Sequence, residues 1–174
     1  MKKGTIIALV VAVILIMAGG MVLVLGLSFA GNDKPESTLT EQEILIQEPF
    51  ENIQIDTDDC DVKFAMFSGR DDCMVEVHSY ENVKHTAAVE NGTLKIRQDD
   101  NRQWHQHVGI YWEETSLKLY LPKDAYDQLT VTGNTSDVMI PNHFTFENAQ
   151  ITTSTGDVNL NCQVEKQLSI PCST

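Results

Sequence analysis

The sequence predicts an all-β fold of solenoid type, carried behind a long apolar N-terminal segment. Three observations support this. From Glu43 onward, short stretches alternate apolar and polar residues, as in "FENIQIDT", "CDVKFAMF" and "SLKLYLP". No segment between residues 44 and 174 carries an apolar stripe at helical spacing. And "TGNTSDVMI" (132–140) returns twenty residues later as "TTSTGDVNL" (152–160).

The chain opens with Lys2 and Lys3, and no charge follows until Asp33. Thr5–Ala30 is nearly all apolar, and a spanning helix needs about 20 such residues. The expected organisation is a cytoplasmic tip (1–4), a transmembrane helix acting as signal anchor (5–30), a polar linker (31–43) and a β domain (44–174). The two lysines place the N-terminus in the cytoplasm and the domain outside the cell membrane. A second reading stays open: Ser28-Phe29-Ala30 offers small residues for cleavage after Ala30, which would make the domain secreted.

Within the domain, "EILIQ" and "FENIQIDT" flank Pro49, and "SGRDD" (68–72) reads as a turn before "CMVEVHSY". Glu90-Asn91-Gly92 signals a hairpin ahead of "TLKIRQ". Pro122 ends "SLKLYLP".

The repeat then sets the architecture. Val131 and Ile151 are twenty residues apart, as are Asp137 and Asp157, and Val138 and Val158. Val131 to Val138, Ile151 to Val158 and Ile55 to Val62 each span seven residues. A fixed period of this length signals stacked rungs with parallel pairing about 4.8 Å apart. The expected columns put Val138 over Val158 and Val131 over Ile151. At the corners, Gly156 suits a left-handed backbone and Asn134 is expected to supply one where glycine is absent. Asp137 and Asp157 are expected to bond nearby backbone N–H groups, and Ser136 and Ser154 to bond locally. A third copy begins at Leu168, with Ile170 nineteen residues after Ile151, and stops at "SIPCST". An incomplete last rung leaves an open edge suited to self-association or a partner, with Pro171 blunting it.

"FENIQIDTDDCDVKF", "LPKDAYDQLTV" (121–131), "LTVTGNTSDVMI" and "AQITTSTGDVNL" together resemble the bacterial putative-adhesin family, DUF4097, over roughly residues 44–170. The resemblance implies a single-stranded, right-handed β-solenoid-like domain of the cell envelope. It supplies no catalytic residues. Relatives continue through further rungs, so the resemblance implies a C-terminally truncated member.

Only Lys2 and Lys3 are charged before residue 33, so residues 33–174 hold 10 basic and 25 acidic residues, about −15. That polarity excludes a nucleic-acid partner. Cys60, Cys73, Cys162 and Cys172 all lie in the exported part and allow two disulfides in any of three pairings, Cys60–Cys73 foremost. Asp56, Asp58, Asp59 and Asp61 in "DTDDCD" fit a calcium loop only partly, since the glycine is absent. His105 and His107 in "WHQHVGIYW" (104–112) lack a third ligand, while Trp104, Tyr111 and Trp112 either cap the open end of the β-core or stack on a sugar or partner. No nucleophile elbow or cationic substrate groove is present, so no enzyme, cofactor or metal site is expected. The expected function is a membrane-anchored binding, adhesion-like or scaffold module, its partner a protein or a cell-wall glycan. The alternative is an accessory or sensor of an envelope-stress response acting through a membrane partner.

Overall fold

A computed structural model describes residues 39–81, 83–100 and 115–171. These form twelve strands: β1 (Leu39–Ile46), β2 (Asn52–Asp56), β3 (Asp61–Met66), β4 (Cys73–Tyr80), β5 (Val83–Glu90), β6 (Thr93–Asp100), β7 (Ser116–Leu121), β8 (Ala125–Thr135), β9 (Val138–Ile140), β10 (Thr145–Thr155), β11 (Val158–Leu160) and β12 (Gln163–Ser169). No helix among the described residues is long and apolar enough to cross a membrane. The apolar run Thr5–Ala30 lies outside them. β1 starts at Leu39, five residues inside the stretch read as linker.

The strands make two six-stranded sheets, ordered β1-β4-β7-β3-β9-β11 and β12-β10-β8-β2-β6-β5. The chain alternates between them from β7 to β12, so each rung gives one strand to either sheet. The expected columns form. Val131 pairs with Ile151, and Val138 with Val158. Ile55 and Val62 join the same columns, opposite Val131 and Val138. Ile96 lies on the other side of Ile55. Ile96, Ile55, Val131 and Ile151 are all fully buried. Residues of both sheets make one core, in which Phe64 meets Phe144 and Phe146 edge-on. Burying each such side chain stabilises the fold by about 1.5–3 kcal/mol.

The stacking order departs from the chain order. The β2–β3 rung lies between β6 and β8 in one sheet and between β7 and β9 in the other. Pairing is also not parallel throughout: β1–β4, β4–β7 and β5–β6 are antiparallel. The β5–β6 turn shows why. Asn91 (φ 52) and Gly92 (φ 73) form a two-residue loop, and so short a connection can only join antiparallel neighbours.

The expected Cys60–Cys73 disulfide is absent: both are buried free thiols, and Cys162 is a half-buried one. Cys60 precedes Asp61, which is level with Ser116 and His78 across the sheet. Cys73 lies five residues from His78 along β4. At about 3.3 Å per residue the two cysteines are at least about 16 Å apart along the strands, with two strand spacings between them besides, whereas a disulfide needs Cα atoms within about 7 Å. Cys172 falls outside the described residues.

Candidate interaction surfaces

The repeated Asp-Val corners are structural, and they work between rungs. Asp61 Oδ1 accepts a hydrogen bond from the Asp137 N–H (3.1 Å), and Asp137 Oδ1 accepts one from the Asp157 N–H (2.7 Å). The aspartates therefore form a ladder up the stack in place of the expected local turns. A strand corner leaves N–H groups that no sheet partner reaches, and the rung below supplies the acceptor. Gly156 takes φ +127, and a Cβ there would lie 2.4 Å from the Ser136 carbonyl oxygen. Asn134 does not adopt the left-handed conformation expected of it; Asn91 is the one non-glycine with positive φ among the described residues. The Asn134 N–H donates to the Asp58 carbonyl instead (3.0 Å), which holds the corner without a turn. Ser136 Oγ is buried without a hydrogen bond, against expectation, because the corner closes over it.

The outer face of the second sheet is the most distinctive surface. In-register pairing aligns Asn52, Gln128, Asn148 and Gln167 in one row. Gln54, Thr130, Gln150 and Ser169 form the next. All eight are uncharged amides or hydroxyls, in a domain of net charge about −15. Gln128, Asn148, Gln150, Gln167 and Ser169 line a shallow groove of about 190 Å³. These residues were not singled out from sequence, although the period contained them: Asn148 follows Gln128 by twenty residues and Gln150 follows Thr130 likewise.

Among the described residues, β11 and β12 are the edge strands of their sheets, each paired on one side only. Leu168 lies opposite Ala149 on the core-facing side yet is 50% exposed, and Ile170 is 38% exposed. The short β11 does not cover them.

A cleft of about 250 Å³ lies between the β1–β2 and β7–β8 loops, lined by Phe50, Cys73, Pro122 and Tyr126 among others. Tyr126 stacks on Phe50 and Phe146, and its buried Oη closes no hydrogen bond. Burial holds its hydroxyl far above the ordinary tyrosine range. Burial, with Asp72 adding to it, pushes the Cys73 thiol up to about 12. The thiol stays protonated at neutral pH and is not a nucleophile there.

The "DTDDCD" carboxylates do not act as one ligand set. Asp56 accepts from Gln54 (2.9 Å), Asp59 from Gln98 (3.0 Å), and Asp61 from the Asp137 N–H. His105, His107, Trp104, Tyr111 and Trp112 lie outside the described residues.

This arrangement of corner, column and LP…Y…L entry coincides with a known family. Residues 50–170 match the family model described as Toastrack DUF4097. The chain belongs to the DUF4097 family. Three solved structures resemble this DUF4097 domain in fold. A putative cell adhesion protein from Clostridium sporogenes ATCC 15579 is 10% identical, with 68% of this chain and 59% of that chain covered at a TM-score of 0.48. A putative adhesin from Bacteroides fragilis NCTC 9343 is 12% identical, with 79% and 78% covered at 0.42. A putative adhesin from Parabacteroides distasonis ATCC 8503 is 14% identical, with 71% and 56% covered at 0.42. The DUF4097 chain thus spans less than two thirds of the first and third of these proteins. Among curated proteins nothing matches it.

Proposed function

We propose that the protein is an envelope-anchored, non-catalytic binding module that holds a neutral polar polymer, a cell-wall glycan, on the outer face of its second sheet. The observation carrying this reading is the pair of uncharged amide and hydroxyl rows across β2, β8, β10 and β12. Amides both donate and accept, so fixed rows of them match the hydroxyls and acetamido groups of a glycan. An acidic partner would be repelled by the rest of the domain. The apolar N-terminus supports anchorage, with the domain exported.

Co-sedimentation with purified peptidoglycan tests this. Retention of the wild type, lost in the double variant Gln128→Glu/Asn148→Asp, is expected. Equal retention of both, or none of the wild type, sinks it.

A second reading, self-association through the β11–β12 edge, rests on the unpaired strands and on exposed Leu168 and Ile170. It predicts a concentration-dependent dimer in light scattering that Leu168→Lys abolishes.

A further inference from the structure

The geometry points to a zinc-type divalent cation site on the outer face of the first sheet, built by Glu41, Glu76 and His78. None of the three takes part in the surfaces described above. His78 and Glu76 are two residues apart on β4 and so share a face. Glu41, on edge strand β1, is the direct cross-strand partner of His78. The ligand atoms of the trio all lie within 4.8 Å of one another. His78 Nε2 is 3.6 Å from Glu41 Oε1 and 3.5 Å from Glu76 Oε1.

Two further features make this more than acidic residues meeting on a surface. His78 Nε2 is closed off from solvent between the two carboxylates, although half of the ring is open, and it makes no hydrogen bond. Its close polar neighbours among the described residues are the two carboxylates, both beyond ordinary hydrogen-bond length, and a cation seated between the three would bind all of them at once. Glu76 is also already oriented: Tyr120 Oη donates to its Oε2 at 3.0 Å, leaving Oε1 turned toward His78. Outer-sphere support of this kind is what metal-ligating carboxylates ordinarily have.

The separations select the ion. Tetrahedral bonds of about 2.1 Å place their donor atoms about 3.4 Å apart. The two nitrogen–oxygen separations lie near this, and the separation between the carboxylate oxygens lies within 4.8 Å. Calcium needs six or more oxygen ligands, which three residues with one imidazole do not provide. Two carboxylates and a neutral imidazole balance a divalent charge, and water completes the fourth position. Lys118, opposite Glu76, is the nearby opposing charge; its ammonium sits over the Tyr120 ring, 4.7 Å from the centroid. The ion would clamp edge strand β1 to β4.

The test uses the full, tag-free chain in mild detergent, titrated with zinc chloride and with cobalt chloride. One saturable zinc site is expected in the wild type and missing from His78→Gln and from Glu41→Gln. Cobalt should give the intense visible bands of tetrahedral coordination in the wild type only. Tyr120→Phe should bind about tenfold more weakly. Zinc should slow amide exchange across Leu39–Ile46 in the wild type and not in His78→Gln. Both substituted glutamine side chains are exposed or half-exposed, so the fold is kept. No saturable binding, or equal binding by the wild type and both glutamine variants, overturns the proposal.

Discussion

Single residues in this protein act mainly on the rung next to them. Gly156→Ala combines a positive φ with a Cβ that would strike the Ser136 backbone at 2.4 Å. It should lose about 3 kcal/mol in urea unfolding. Gly92→Ala, with φ +73 and nothing within 4 Å, should cost only about 1 kcal/mol. The aspartate ladder makes a similar contrast. Asp137→Ala removes the acceptor for the Asp157 N–H and should cost about 1 kcal/mol, while Asp137→Asn keeps an oxygen there and should restore most of it. The thiols set the alkaline limit. Burial, then Asp59 and Asp61, pushes Cys60 up to about 12, as burial does Cys73. Their folded values exceed the ordinary 9.0, so above pH 9 the unfolded chain holds fewer protons and stability falls with rising pH up to about 12. Each thiol contributes up to about 1.4 kcal/mol per pH unit in that window. Thiol-reactive dye should label neither cysteine in the native protein at pH 8 and both in urea.

At the level of elements, the edges decide what can bind. β5 and β6 are held by the Asn91-Gly92 turn, and Lys95 bonds Glu90 across it (2.7 Å). Among the described residues β5 is nevertheless an edge strand of its sheet, as are β1, β11 and β12. Replacing Asn91 by Ala should destabilise by about 1 kcal/mol through its positive φ alone, measured by thermal unfolding. Inside β5, His85 is 3% exposed, and burial lowers its pKa, with Asp59 opposing. Its folded value lies below the ordinary 6.5, so stability should be intact above that pH and decline as acid is added. Urea midpoints taken from pH 5 to 8 check this.

Across the whole molecule, the insertion of β2–β3 at the centre changes how the stack behaves. In a solenoid whose rungs follow the chain, removing a terminal rung leaves the others paired. Here residues 52–66 carry Ile53, Ile55, Val62 and Phe64 in the middle of both sheets. A chain starting at residue 67 should therefore show no cooperative unfolding by circular dichroism. Removing residues 161–174 should leave a folded, less stable domain.

Much of this was legible from the residues. The twenty-residue period determined the columns of Val131 over Ile151 and Val138 over Val158, because a rung of fixed length returns the same side chain to the same place. Alternation determined the strands, and Asn91-Gly92 determined its hairpin, because both depend on neighbours in the chain. The rung order, the separation of Cys60 from Cys73, the inter-rung use of Asp137 and the meeting of Glu41 with His78 were decided only by the tertiary structure. Each depends on which strand lies alongside which. That choice is settled by closing one core over all the rungs, a non-local condition that no short stretch of sequence records.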